Sequence, residues 1–356
     1  MHLVSILLSP RTGSIDRTEF TKLPGSGRCL LSNLATFTWA LPLPGTPGRR
    51  GRFFVHGMPV VNTMTAKVIV GVPVYNGEEQ LRDCLQCLIS QTFRDIEIRI
   101  YDNASQDSTP EIAREFAARD SRVKYIRHPK NIRAMPNFLS VLKDCEAEFV
   151  MWRAHDDLCA PDYIERLYVS LAADPSANVA VPTTRTQTLS KTVRISRPKP
   201  FVGKSNLISI IQLMFNSHAG WFYGLWRRDR LLADFEECWS AFSHPWALDH
   251  LILFPSLLEK AVVVVPEALF VQRLVVKGYS PQKGTSPPLA LMTGLRKKFS
   301  AQCRLYIERS QYSKAERLIL QAILPIYVGR RVYKIRKIIK RKLLMDLGGV
   351  SYNTDF

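Results

Sequence analysis

The stretch KVIVGVPVYNGEE at residues 67–79 decides the fold of this 356-residue chain. Its first part, Lys67 to Val74, has the length and β-branched character of a buried strand, and the polar cluster Pro73-Val74-Tyr75-Asn76 ends it. The same pattern recurs in IEIRIYDNAS at residues 96–105 and in EFVMWRAHDD at residues 148–157. Because open α/β sheets bind ligands beyond the carboxyl ends of their strands, the three clusters predict a ligand site at one edge of a sheet.

Segments with a helical period separate these strands. The segment from Gln80 to Gln91 places Leu81, Leu85 and Leu88 on one face. Further helices are predicted from Ser108, over residues 136–144 and from Pro161, and two more strands over residues 123–127 and 178–182. This alternation predicts an α/β fold with a mainly parallel sheet flanked by helices.

The formal net charge of +18 is concentrated at the two ends of the chain. Residues 296–342 hold fifteen Lys or Arg against two Glu, and residues 1–64 hold seven against two acids, so the rest of the chain sums to zero. A nucleic-acid-binding protein carries basic residues on its folded reading surface. The neutral α/β portion therefore argues against nucleic acid as a partner.

The seven cysteines form no evenly spaced framework, and their odd number argues against a fully disulfide-paired secreted domain. We therefore expect a cytoplasmic protein. Cys84 and Cys87 form a C-x-x-C motif inside an amphipathic helix, with no second pair to complete a zinc site. We interpret them as small buried apolar residues.

The three motifs, together with Gln91-Thr92-Phe93 and Pro161, resemble the family 2 glycosyltransferases, which have the Rossmann-like GT-A fold. The resemblance is close over residues 66–185 and looser up to about residue 280. It implies transfer of a sugar from a nucleotide-diphosphate sugar, with UDP-sugars favoured, to a glycan or lipid-linked acceptor. It also implies inversion at the anomeric carbon and a divalent metal, Mn²⁺ or Mg²⁺.

Three regions are predicted from this resemblance. Residues 1–64 are rich in Pro and Gly, and we expect them to be disordered or to precede a translation start at Met58 or Met64. Residues 65–285 form the GT-A domain, divided into a nucleotide-sugar half over 65–185 and an acceptor half over 186–285. Residues 286–356 form a basic helical extension.

The metal is assigned to the motif Ala154-His155-Asp156-Asp157. Asp156 is predicted to bind it, because oxygen ligands suit Mg²⁺ and Mn²⁺, while Asp157 assists or orients the loop. The family usually carries an aspartate where this chain has Ala154. Diphosphate and water then complete the metal shell, or His155 joins it, or metal dependence is weak.

The nucleotide-sugar is assigned to the other loops at the same edge. Asp102 is expected to accept hydrogen bonds from base or ribose, and Tyr75 to lie against the base. Arg273 stabilises the leaving diphosphate or is a solvated surface charge. The full set predicted to contact the nucleotide-sugar is Pro73, Tyr75, Asn76, Glu79, Asp102, Asn103, Asn131, Arg133, Asp156 and Arg273.

The acceptor half supplies the catalytic base. An inverting transfer needs a base near the acceptor hydroxyl, and Asp249, in a segment that resembles the corresponding part of the family, is the candidate. The aromatic residues within 215–228 suit either sugar stacking in an acceptor cleft or core packing.

Residues 328–344 are predicted to form a basic amphipathic helix, with apolar Val332, Ile335, Ile339 and Leu343 on one face. Such a helix can bind an anionic membrane surface, or its apolar face can pack on the catalytic domain. We expect peripheral attachment to the inner face of the plasma membrane, because the sequence has no apolar run of about eighteen residues that could span it.

Two alternatives stay open. A sugar-phosphate nucleotidyltransferase shares the nucleotide-binding sheet, but it carries a glycine-rich loop with a basic residue after the first strand, and residues 74–79 have neither. A non-catalytic relative that binds glycan or nucleotide is the other alternative, and Ala154 favours it.

Overall fold

The computed structural model describes residues 66–188, 192–199, 206–274, 288–336, 338–339 and 343. The predictions for residues 1–64 and for the boundary at residue 285 lie outside the described residues.

The described residues form nine strands of one sheet. Their bounds are β1 (Val68–Val74), β2 (Ile96–Asp102), β3 (Val123–Arg127), β4 (Phe149–Trp152), β5 (Leu158–Cys159), β6 (Val179–Gln187), β7 (Thr192–Ser196), β8 (Leu225–Arg227) and β9 (Val262–Arg273). The strand order is β3-β2-β1-β4-β8-β6-β9-β5, and β7 pairs with β6.

Helices cover this sheet. They are α1 (Leu81–Ile89), α2 (Thr109–Arg119), α3 (Ala134–Lys143), α4 (Tyr163–Ala172), α5 (Asn206–Asn216), a 3₁₀ helix (Ala219–Tyr223), α6 (Arg228–Phe242), α7 (Leu248–Leu258), α8 (Leu289–Arg309) and α9 (Lys314–Arg331). The five predicted strands are confirmed as β1, β2, β3, β4 and β6, and the four predicted helices as α1 to α4.

The part of the sheet formed by β1 to β4 is parallel, as predicted. Strand β1 pairs in parallel with both β2 and β4, and β2 pairs in parallel with β3. The register places Val74 opposite Asp102, and Asp102 opposite Arg127. The carboxyl ends of β1, β2 and β3 therefore meet at one edge. The other half is mixed, because β8 is antiparallel to β4 and β6, whereas β6 and β9 are parallel.

The core is built on β1, every residue of which is buried. The predicted apolar face of α1 packs there, since Leu81, Leu85 and Leu88 are completely buried. Helix α3 packs on β1 so closely that a Cβ atom on Gly71 would lie 2.2 Å from Cγ1 of Val141. Gly71 thus allows the strand and the helix to pack in direct contact.

The prediction of one continuous helix over residues 328–344 is wrong. Helix α9 ends at Arg331, and Val332 has φ −99° and ψ −92°, which lies outside the helical region. The break has a packing cause, because Tyr333 stacks on Trp246 with ring centroids 5.4 Å apart, and Arg296 donates a hydrogen bond to the Tyr333 carbonyl. Helical residues recur at 335–336, 338–339 and 343.

The apolar residues predicted to line one face of residues 328–344 are buried before the helix break and exposed after it. Val328 and Val332 belong to the core, whereas Ile335, Ile339 and Leu343 are each more than half exposed. Among the described residues, no helix combines the length and the apolar character needed to cross a membrane.

We predict that Gly71→Ala lowers the free energy of unfolding by about 1–3 kcal/mol, because the added methyl group overlaps Val141. Urea unfolding measures this change. Gly294→Ala is the control, since a Cβ atom there meets nothing within 4 Å and alanine favours a helix interior, so that variant gains about 0.5–1 kcal/mol. Equal effects of the two substitutions would contradict the packing of α3 on β1.

Candidate functional site

Asp102 ends β2 as a fully buried carboxylate. Its Oδ1 accepts the Ser105 backbone N–H at 2.8 Å, and its Oδ2 accepts the Tyr125 hydroxyl at 2.7 Å and Nη1 of Arg127 at 2.9 Å. These bonds compensate the desolvation of a buried charge. Asp102 therefore shapes the loop that follows β2, and its predicted contact with base or ribose stays a prediction.

Asn76 joins the loop after β1 to the loop after β2. Its backbone N–H donates to Oγ of Ser105 at 3.0 Å, and its Oδ1 accepts the Gln106 N–H at 2.9 Å. The residue has φ 50°, a left-handed conformation that asparagine tolerates. On either side of it, Pro73 lies buried in β1, while the side chains of Tyr75 and Glu79 are exposed.

Asn103 holds the loop that precedes α3. Its Nδ2 donates to Oδ1 of Asn131 at 3.1 Å, and its Oδ1 accepts the Ile132 N–H at 2.8 Å. Asn131 Oδ1 also accepts the Arg133 N–H, and Arg133 itself is exposed at the N-terminus of α3 with φ 71°. The structure thus brings Asn103, Asn131 and Arg133 to the same edge as Asp102, as predicted.

Asp156 and Asp157 follow β4 and are both 3% exposed. The Arg273 N–H donates to Oδ1 of Asp157 at 2.8 Å, and the Arg273 guanidinium bonds the Asp156 carbonyl and, at 2.8 Å, the carboxylate of Asp83 in α1. Arg273 therefore connects the end of β9, the Asp156–Asp157 loop and α1. The sequence left two roles open for Arg273, stabilisation of the leaving diphosphate or a solvated surface charge. These contacts do not fit a solvated surface charge.

Burial raises the pKa of Asp157 well above its usual range, and the neighbouring charge of Asp156 raises it further. Two carboxylates held together out of water form an oxygen donor pair that suits Mg²⁺ or Mn²⁺. The described residues contain no group of three or more His, Cys, Asp or Glu placed for a metal, so diphosphate oxygens would have to complete the shell. His155 packs beside Gly77, where a Cβ atom would lie 2.6 Å from its Cδ2.

Asp249 lies in the first turn of α7 and is 5% exposed. Its Oδ1 accepts the His250 N–H at 2.8 Å, and burial raises its pKa to about 6. A carboxylate with this pKa is ionised at neutral pH and still basic enough to accept a proton. Its role as the catalytic base stays a prediction.

Tyr223, which the sequence did not single out as a site residue, responds to the charges of both parts of the candidate site. Burial raises its pKa well above the usual range, and the charges of Asp157, Asp156 and Asp249 raise it further. The Tyr163 hydroxyl fixes its backbone by donating to the Tyr223 carbonyl at 2.9 Å. No motif marks Tyr223, because the three aspartates that act on it are far from it or from each other in the sequence.

Three of the aromatic residues within 215–228 belong to the core, which favours core packing over sugar stacking for them. Trp221, Phe222 and Trp226 are each at most 2% exposed, and Phe222 stacks on Trp152 with ring centroids 4.5 Å apart. Buried rings cannot stack on a sugar. They instead support the 3₁₀ helix that carries Tyr223.

Arg331 at the end of α9 holds the end of α5 and the residue that follows it. Its Nη2 donates to the Met214 carbonyl at 2.7 Å and to Oγ of Ser217 at 2.9 Å. Its charge also opposes the rise in the pKa of Asp249. The basic C-terminal region therefore contributes a structural residue next to the candidate base, a role that the charge count could not reveal.

Comparisons with known proteins place part of the chain in a family. Residues 69–234 match the model of the family described as Glycosyl transferase family 2, so this segment resembles a domain of that family. It is 36% identical over 116 residues to "Glycosyltransferase GlyA" of Streptococcus pneumoniae, which is 32% of this chain and 16% of GlyA. It is 32% identical over 109 residues to "Glycosyltransferase GlyG" of the same species, which is 30% of this chain and 35% of GlyG.

The fold is that of the GT-A glycosyltransferases. The structure of residues 1–349 of S. aureus TarS in complex with UDP-GlcNAc superposes with a TM-score of 0.59 at 17% identity, covering 76% of this chain and 74% of that one. The complex of the same fragment with UDP gives a TM-score of 0.54 at 18% identity, covering 76% and 73%. The GT-A fold inferred from the three motifs is confirmed.

We predict that, as the pH is raised from 5 to 8, the free energy of unfolding of Asp249→Asn increases by about 1 kcal/mol relative to that of the wild type. The folded-state pKa of about 6 is above that of an unfolded aspartate, so the wild type loses stability as the pH rises through this range, and an amide does not. Urea unfolding at both pH values measures it. Asp229→Asn, whose side chain is 92% exposed, is the control, and a pH-independent difference for Asp249→Asn would refute the raised pKa.

Proposed function

We propose that this chain transfers a sugar, with inversion, from a nucleotide-diphosphate sugar to a glycan or lipid-linked acceptor in the synthesis of a surface polysaccharide. One observation carries the proposal: Asp156, Asp157 and Asp249 are all buried carboxylates, and their charges all raise the pKa of Tyr223. A transfer with inversion uses a base for the acceptor hydroxyl and positive charge beside the leaving group, and these carboxylates can serve as the base and as metal ligands.

The donor half of the proposal rests on the loops at the carboxyl edge. Tyr75 offers an exposed ring for a base, and Arg133 offers an exposed cation for a phosphate. TarS was crystallised with UDP-GlcNAc and with UDP, so UDP-sugars are the first donors to try.

The chemistry is divided between the two halves. A Mn²⁺ or Mg²⁺ held by Asp156 and Asp157 would supply positive charge beside the leaving diphosphate. Arg273 keeps the carbonyl of Asp156 and the carboxylate of Asp157 in place through its contacts with both. Asp249 takes the proton from the acceptor hydroxyl, and burial gives it the pKa of about 6 that this task needs.

Asp249→Asn and Asp156→Ala test the proposal. We expect Asp249→Asn to bind donor nucleotide normally while transfer falls by about 10²-fold or more, because an amide cannot accept the proton. Asp156→Ala is expected to lose metal-dependent nucleotide binding. Transfer is measured by nucleotide release from a panel of UDP- and GDP-sugars with glycan and lipid-linked acceptors.

Asp229→Asn is again the matched control and is expected to retain wild-type turnover, because its exposed side chain lies at the start of α6. Near-normal turnover of Asp249→Asn would show that Asp249 is not the base, and near-normal turnover of Asp156→Ala would show that Asp156 is not needed to bind the metal. Nucleotide binding without transfer in the wild type would favour a non-catalytic relative. Release of pyrophosphate from a nucleoside triphosphate and a sugar phosphate would favour a nucleotidyltransferase.

The membrane part of the proposal is supported by the C-terminal surface. Ile335 and Ile339 are both 52% exposed and lie one helical turn apart, and Leu343 follows at 55%. Basic residues alternate with them in the sequence over residues 334–342. Exposed apolar side chains between cationic ones fit an anionic lipid surface, so we propose peripheral attachment on the cytoplasmic side, where a lipid-linked acceptor would lie.

We predict that Ile335→Ser together with Ile339→Ser lowers binding to vesicles containing phosphatidylglycerol at least fivefold, because the apolar contact with the lipid is lost. Vesicle flotation measures binding. Val193→Ser, at a 48% exposed position on β7, is the control and leaves binding unchanged. Equal binding by all variants, or equal binding to neutral vesicles, would contradict an anionic-membrane surface at this position.

A further inference from the structure

Two cysteines that are far apart in the sequence meet beside the Asp156–Asp157 loop. Sγ of Cys87 in α1 lies 3.4 Å from Sγ of Cys159 in β5. The Cys159 backbone N–H donates to the Cys87 sulfur at 3.3 Å, and the Cys87 thiol reaches the Cys159 carbonyl at 3.2 Å. Gln91 donates to the Cys159 sulfur at 3.5 Å. The fold therefore pairs Cys87 with Cys159, not with its sequence neighbour Cys84.

Cys84 has a different environment. It is completely buried, and its sulfur contacts the Ala154 carbonyl at 3.6 Å, whereas Cys87 and Cys159 are both partly exposed. The interpretation of the C-x-x-C motif as buried small apolar residues thus fits Cys84 and fails for Cys87.

We propose that Cys87 and Cys159 are a thiol pair that forms a reversible disulfide and thereby controls the Asp156–Asp157 loop. A disulfide brings two sulfur atoms to about 2.05 Å, so the pair has to close by roughly 1.4 Å, which side-chain rotation and a small shift of the two-residue strand β5 can supply.

The environment also activates Cys87 as the attacking thiol. Its hydrogen bond with Cys159 lowers its pKa to about 6, and the charges of Arg153 and Arg273 contribute in the same direction. Arg153 is fully buried and lies against the rings of Tyr163 and Phe270 at 4.9 and 4.8 Å. The thiolate is the reactive form of cysteine.

The proposed oxidant is a hydroperoxide. The Cys87 thiolate attacks one oxygen of hydrogen peroxide, the O–O bond breaks, and Cys87 becomes a sulfenic acid while hydroxide takes up the thiol proton as water. Cys159 then attacks the Cys87 sulfur, the S–O bond breaks, and the second oxygen leaves as water with the Cys159 proton. Two thiols and one peroxide thus give one disulfide and two waters, and a dithiol reductant reverses the step.

The disulfide would act on the donor site through β5. Cys159 lies two residues after Asp157 and pairs with Phe270 of β9, whose last residue, Arg273, holds Asp157. Drawing Cys159 towards α1 therefore displaces the contact between Arg273 and Asp157. This effect on nucleotide binding rests on the proposed function, whereas formation of the disulfide does not.

Peptide mapping of the full-length protein tests the pair itself. After treatment with equimolar hydrogen peroxide and trypsin, we expect residues 83–94 cross-linked to residues 154–166, and release of both by dithiothreitol. Cys84→Ala is the matched control and keeps the cross-link, while Cys87→Ala and Cys159→Ala abolish it. Absence of the cross-link in the wild type, or its persistence in Cys87→Ala, would overturn the proposal.

Calorimetric titration of the oxidised and reduced proteins with UDP or GDP and Mn²⁺ tests the control of the loop. We expect at least threefold weaker binding after oxidation in the wild type and in Cys84→Ala, and no change in Cys87→Ala. Unchanged binding by fully cross-linked wild type would overturn the regulatory part. If no nucleotide binds even in the reduced state, the proposed function fails, and the peptide map still decides whether the pair exists.

Discussion

Parallel hydrogen bonding of β1 to β2 on one side and to β4 on the other is the constraint on which the rest of the structure depends. It brings the loops after all three strands to one edge, because parallel strands end together. The pairing is possible because β1 is buried along its whole length and because Gly71 lets α3 pack directly on it. Each candidate donor-site loop is a consequence of this arrangement.

Buried carboxylates determine the chemistry that the candidate site can carry out. Asp102 is stabilised by Arg127, Tyr125 and Ser105, and such a network is costly to break because a lone buried carboxylate has no compensation. Asp157 and Asp249 are less well compensated, and burial raises the pKa of both. Raised pKa values of buried carboxylates are typical of functional sites, where a less stable ionised form is also a more reactive one.

The sequence predicted what depends on local pattern. Alternating strands and helices, the face of α1 and the loops after β1, β2 and β4 follow from periodicity and polarity within a few residues. Contacts that depend on long-range folding were missed. The partner of Cys87 is 72 residues away, and the packing of Tyr333 on Trp246, which ends α9, joins residues 87 apart. The aromatic residues within 215–228 could not be assigned to cleft or core, because burial is a property of the fold.

Isothermal titration of the full-length protein with UDP and with GDP, with and without Mn²⁺, tests the central claim most directly. The account predicts that one of the two nucleotides binds, and that binding weakens strongly without the metal, because the metal would supply the positive charge between the two carboxylates and the diphosphate. Failure of both nucleotides to bind in the presence of Mn²⁺ would contradict the assignment of this edge of the sheet as a nucleotide-sugar site.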